Sequence, residues 1–136
     1  MNRLQKLFSK ILRKKHLTNS NSDKSFDEIY NDLGCFKYDE VGFILDYENF
    51  NASVKWDEIT QLNVYKKDLI TIDQIEMQIV AGQKYFTISE ELPGWFQFII
   101  KTKEMFPTIP KDWDMKIINP PFQANFTTIY EKPSQN

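Results

Sequence analysis

Residues 72–80 read IDQIEMQIV and carry the clearest structural pattern in this chain of 136 residues. Ile75, Met77 and Ile79 alternate with the polar side chains between them. Because successive side chains of a strand point to opposite faces, this alternation predicts a strand with one dry face and one wet face. A sheet built from such strands needs a cover on its dry face.

The period of two extends outward from this stretch, together with many β-branched and aromatic residues. The connections between the runs are too short for crossover helices, so neighbouring strands are predicted to pair antiparallel as a meander. A further β-like run lies at 126–131. The six predicted strands are 35–38, 43–47, 52–56, 59–66, 72–80 and 84–89.

Helices are predicted on both sides of the strands. Ser25 stands at an N-cap position before acidic residues, which predicts a short helix over 26–33. A second helix is predicted over 93–106, where a large apolar content could cover the open end of the sheet. Residues 111–136 are predicted to wrap the domain as an extended tail.

A short antiparallel meander closed by one amphipathic C-terminal helix resembles pleckstrin-homology-like (PH-like) domains. The resemblance implies an α+β fold: a six- or seven-stranded, partly open barrel capped by one C-terminal helix, with an N-terminal helical arm. Six strands are recognised where that fold has seven, and the tail is longer than it needs. Five stretches are also similar to small uncharacterised bacterial proteins: FKYDEVGF (36–43), WDEI (56–59), YKKDL (65–69), EELPGW (90–95) and PFQANFT (121–127). This likeness implies a bacterial cytoplasmic protein and no known activity.

The net charge of −2 conceals a division of the chain. Residues 1–24 hold seven Lys or Arg against one Asp, whereas residues 25–136 hold ten against eighteen acids, so a +6 arm precedes a −8 body. Apolar residues at helical spacing predict an amphipathic basic helix over 1–16, followed by a polar linker. The predicted contact residues of this arm, for an anionic membrane or a partner, are Arg3, Lys6, Phe8, Lys10, Arg13, Lys14 and Lys15.

The alternative for this arm is that its apolar stripe packs on its own sheet or on another subunit, so a homo-oligomer is possible. Nucleic acid is not expected as a partner, because the body is acidic and Phe8 is the arm's one stacking ring.

Several chemistries are disfavoured by residue content. Cys35 is the single cysteine and no apolar export run follows the N-terminal charges, which together predict a reducing, cytoplasmic location. The lone His16 leaves no histidine pair for a zinc site and no nucleophile–histidine couple in the body. No phosphate-binding glycine-rich loop occurs among four glycines. No metal, cofactor or catalytic residue is therefore predicted.

Two groups of polar residues remain as candidates. Paired acids at 57–58, 90–91 and 112/114 could supply a general acid and base, but they also suit turns and helix starts. The stretch Tyr65, Lys66, Lys67 and Asp68 places mixed charge beside an aromatic ring. It is interpreted either as a ligand-facing loop or as a surface ion-pair network.

Taken together, the sequence favours a non-enzymatic protein-binding module with an acidic contact surface. A bacterial immunity protein that neutralises a basic toxin is one concrete form. Peripheral membrane attachment through residues 1–16 is the first alternative, and an enzyme using paired carboxylates is a less favoured one.

Overall fold

The structure, a computed structural model, describes residues 25–68, 73–117 and 126–134. Within them it is α+β, as predicted, with short helices and two antiparallel sheets. The helices are α1 (Phe26–Asn31), α2 (Trp95–Met105) and α3 (Trp113–Lys116), with a 3-10 turn at Trp56–Glu58. The strands are β1 (Phe36–Tyr38), β2 (Gly42–Tyr47), β3 (Phe50–Lys55), β4 (Gln61–Asp68), β5 (Asp73–Ala81), β6 (Lys84–Ser89) and β7 (Thr127–Glu131).

The strands divide into a three-stranded sheet, β1-β2-β3, and a four-stranded sheet, β6-β5-β4-β7. All six predicted strands exist, but the expectation of one continuous meander is wrong, since β3 and β4 do not pair. The 3-10 turn separates them, and its buried Trp56 donates its backbone N–H to Val41 O at 2.9 Å. In the described residues the two sheets do not close into a barrel.

The four-stranded sheet has the dry face that the alternation predicts. Leu62, Val64, Ile75, Met77 and Ile79 are all buried there, on the paired strands β4 and β5. Burying a side chain of this size stabilises a fold by roughly 1.5–3 kcal/mol, so this face is a main source of stability.

Strand β7 confirms the β-like run predicted at 126–131 and corrects the prediction that this segment belongs to an extended tail. Rather than wrapping the domain as an extended tail, Thr127–Glu131 pairs antiparallel with β4, with an irregularity in register beside Leu62. Ile129 is buried in the core. The preceding α3, at Trp113–Lys116, has no counterpart in the sequence-based prediction.

Helix α2 packs its apolar side on the core, as predicted. Phe98 is fully buried, with ring centroids 4.6 Å from Phe36 and 5.0 Å from Phe43. The helix begins at Trp95 rather than at residue 93, because Gly94 has a left-handed φ of 93° that an α-helix cannot contain.

Helix α1 is held against α2. The Ser25 hydroxyl accepts the Glu28 backbone N–H at 3.3 Å, which confirms the predicted N-cap. The Gln97 side-chain amide donates to Tyr30 O at 2.8 Å. No helix in the described part of the chain is long and apolar enough to cross a membrane.

Candidate functional site: a groove beside strand β6

A surface groove of about 530 Å³ lies beside strand β6, and we call it the β6 groove. Its lining combines aromatic rings, polar groups and one carboxylate from both sheets and from the turn after β6. The lining residues are Leu45, Tyr47, Phe50, Tyr65, Gln74, Glu76, Thr87, Ile88, Ser89 and Leu92. The volume falls within the roughly 300–1,000 Å³ typical of binding clefts.

The turn between β2 and β3 supplies the aromatic wall. Tyr47 and Phe50 face each other at the end of this hairpin, across a two-residue turn in which Glu48 has a left-handed φ of 54°. Both rings stay partly open to solvent, at 39% and 44% exposure. The Phe50 ring is also held 5.3 Å from that of Phe86 on β6. Large exposed rings anchored in this way are well suited to contact a partner.

The charged group in the groove's lining is Glu76. The Tyr65 hydroxyl donates to Glu76 Oε2 at 2.8 Å, and Lys67 Nζ lies 4.0 Å from Glu76 Oε1. Burial raises the pKa of Tyr65, and the hydrogen bond to Glu76 raises it further. The phenol therefore keeps its proton at neutral pH and orients the carboxylate. Lys67 is mostly exposed, so its ion pair contributes little.

A row of hydrogen-bonded side chains crosses the sheet that carries Glu76. Asn63 donates from Nδ2 to Gln78 Oε1 at 2.8 Å and accepts the Thr128 hydroxyl at 2.7 Å. The row links β7, β4 and β5. These cross-strand hydrogen bonds stabilise the polar face of the sheet, on which Glu76 of β5 lies.

The predicted stretch Tyr65, Lys66, Lys67 and Asp68 belongs to strand β4 rather than to a loop, because β4 continues to Asp68. Tyr65 lines the β6 groove and Lys67 reaches its carboxylate. Lys66 is buried on the core face, with Nζ 3.9 Å from Asp73 Oδ2. Lys66 therefore acts within the fold and does not present its charge to a ligand.

The acidic pair Glu90 and Glu91 comes to the same end of the sheet. Buried Glu90 accepts the Ile75 backbone N–H on Oε1 at 3.0 Å. Gln74, which lines the β6 groove, donates to Glu91 Oε2 at 3.2 Å. This pair lies far from Tyr65 in the sequence, and the pairing of β5 with both β4 and β6 brings the two to one end of the sheet.

The other acidic pairs lie elsewhere. Asp57 and Glu58 are exposed on the 3-10 turn. Asp112 pairs with Lys116 at 3.5 Å, and Asp114 with Lys103 at 3.2 Å. Across residues 25–68, 73–117 and 126–134, no three His, Cys, Asp or Glu side chains are grouped so that they could hold a metal ion.

The arm residues Arg3, Lys6, Phe8, Lys10, Arg13, Lys14 and Lys15 lie outside the described residues. Sequence reasoning missed the aromatic wall. The sequence does carry a signal for it: two large rings, Tyr47 and Phe50, flank the polar turn of a hairpin, where the fold does not require aromatic residues.

No family model matches the chain, and neither a curated protein nor a solved structure matches it. The β6 groove is therefore interpreted from its own chemistry.

Proposed function

We propose that this chain is a non-enzymatic protein-binding module of PH-like architecture that engages a basic partner through the β6 groove. The observation that carries the proposal is the pairing of two exposed rings, Tyr47 and Phe50, with the Glu76 carboxylate in one groove. Aromatic faces and carboxylates are the groups that recognise Lys and Arg side chains. The net charge of −8 over residues 25–136 would attract such a partner.

Binding is favoured over acid–base catalysis because Glu76 in the groove and buried Glu90 on the turn after β6 already accept hydrogen bonds within the fold. Glu76 accepts the Tyr65 hydroxyl, and Glu90 accepts a backbone N–H of β5. A general acid or base needs a carboxyl that can exchange a proton with a substrate. An immunity protein that masks a basic toxin in the bacterial cytoplasm is the concrete form of the proposal.

The experiment is capture of partners by the full-length tagged chain from cells that express it natively. Wild type is compared with Glu76→Lys and with Glu104→Lys, which makes the same charge change on α2 outside the groove. We expect one basic protein, recovered in near-stoichiometric amount, to be lost with Glu76→Lys and retained with Glu104→Lys. Equal recovery by all three proteins, or none by wild type, would overturn the proposal.

A second candidate function rests on the basic, apolar-striped sequence of residues 1–16, which suits peripheral attachment to an anionic membrane. Co-sedimentation with vesicles containing phosphatidylserine tests it. Binding that falls when the arm's Lys and Arg residues are changed to Gln supports attachment. Unchanged binding would exclude this role for the arm.

A further inference from the structure

Strand β6 is an edge strand beside the groove. It pairs with β5 on one side, and no strand in the described part of the chain pairs with its other side. Tyr85 on this strand is 68% exposed. An open edge presents unpaired backbone N–H and C=O groups that can accept a further strand from another protein.

The Glu76 side chain keeps 15% of its surface exposed, and the β6 side chains on its face of the sheet are short. Ser89 stands directly opposite Glu76 in the register, and Thr87 is the next β6 residue on the same face. Both are small. Strands lie about 4.8 Å apart, so a strand added to β6 would lie roughly 10 Å from β5. A long side chain on the added strand could pass over Ser89 and reach Glu76.

Arginine fits this position better than lysine does. Its planar guanidinium can bind a carboxylate while its face stacks on an aromatic ring. Glu76, Tyr47 and Phe50 all line the groove. The Lys67 ammonium, 4.0 Å from Glu76 and mostly exposed, is a weak competitor that an arginine can displace.

We propose that the β6 groove binds an extended, arginine-containing segment of a basic partner protein. The segment adds as a strand to β6 and places a guanidinium on Glu76, in the groove that Tyr47 and Phe50 also line. This inference rests on the proposed function and specifies how the partner is recognised. Charge complementarity between the acidic body and a basic segment selects the occupant.

The test uses the full chain labelled with nitrogen-15 and a short capped peptide of alternating Val and Arg. We expect amide shifts concentrated on β6 and on the turn after β2. Two matched peptides probe the mechanism: one with citrulline in place of Arg, which removes the charge, and one N-methylated on alternate residues, which cannot pair with an edge strand. Both are expected to bind at least about tenfold more weakly.

Variants of the protein complete the design. Glu76→Gln is expected to weaken binding of the Val-Arg peptide about tenfold, and Phe50→Ala severalfold. Glu104→Gln is expected to leave the affinity for the peptide unchanged. Preserved spectral dispersion in each variant establishes that it is folded. If the citrulline peptide binds as tightly as the Val-Arg peptide, the role of arginine is wrong. If the N-methylated peptide binds as tightly, the addition of a strand to β6 is wrong.

The remaining outcomes separate this inference from the proposed function. If the Val-Arg peptide does not bind but a native partner is still lost with Glu76→Lys, the module binds protein by another geometry and the inference is wrong. A peptide of residues 2–16 that shifts the same amides more strongly would assign the groove to this chain's own arm. That result would overturn the choice of an external partner.

Discussion

Replacing Lys66 with methionine tests how the charged end of the four-stranded sheet is held together. Lys66 is only 3% exposed and points to the core face of β4, where its ammonium lies 3.9 Å from Asp73 Oδ2. Buried Glu90 lies on the neighbouring turn and bonds to Ile75, the register partner of Lys66. Methionine comes close to the length of the lysine side chain and removes its charge, so Asp73 loses this ion pair.

Removing one partner of a buried ion pair typically costs about 3–5 kcal/mol of unfolding free energy. Asp73 retains partial access to water, with 12% of its side chain exposed, so the lower end applies. We therefore expect Lys66→Met to destabilise the protein by about 3 kcal/mol. For a domain near 110 residues this corresponds to a fall in Tm of roughly 12 °C.

The assay is urea unfolding at neutral pH of wild type, Lys66→Met, Asp73→Asn and the double variant. The two single variants are expected to be non-additive, with a coupling of about 1–2 kcal/mol, because both act on one interaction. Lys67→Met is the matched control: its ammonium is mostly exposed, so a loss below about 1 kcal/mol is expected. A Lys66→Met protein as stable as the Lys67→Met control would refute the reasoning.

Three further predictions concern the core, a backbone contact and pH. Phe98→Ala removes a fully buried ring and should cost about 3–5 kcal/mol by urea unfolding, where a loss under 1 kcal/mol would contradict the packing. Gly94→Ala would set a Cβ against the Leu33 carbonyl at a φ of 93°, and thermal unfolding should show a loss of roughly 2 kcal/mol or more; an unchanged Tm would dispute the contact. Burial raises the pKa of Tyr38 above its ordinary 10, so above about pH 10 the phenol ionises first in the unfolded chain. The contribution of Tyr38 to the free energy of unfolding is therefore complete below about pH 10 and declines as the pH rises further. Tyr38→Phe should reduce the drop in urea midpoint between pH 9 and 11, and an identical drop would count against this cause.

The local elements were predictable because their causes lie within a few residues. Alternating apolar residues in 72–80 suffice to predict β5, and Ser25 with the acids after it suffices to predict α1. The predicted strand 59–66 ends two residues before β4 does, because Lys67 and Asp68 look like a polar turn. Backbone pairing with Gln74 and Asp73 of β5 keeps both residues in the strand.

The candidate site was only partly predictable. Tyr65 and Glu91 stand out in the sequence, whereas Tyr47 and Phe50 become informative only when the β2–β3 turn meets β6. The contact between Phe50 and Phe86 joins residues 36 positions apart on two different sheets. The sequence around Phe50 and the sequence around Phe86 do not predict this contact.

What the sequence by itself determined is the strands, the helices α1 and α2, the dry face of the main sheet and the division between a basic arm and an acidic body. These follow from side-chain periodicity and charge, which act along the chain. Only the tertiary structure decided that the meander breaks at Trp56, that β7 returns to pair with β4, and that the β6 groove forms. Strands more than 60 residues apart pair in the arrangement that buries the most apolar surface while satisfying backbone hydrogen bonds. This arrangement depends on the packing of the whole chain, so no local sequence pattern predicts it.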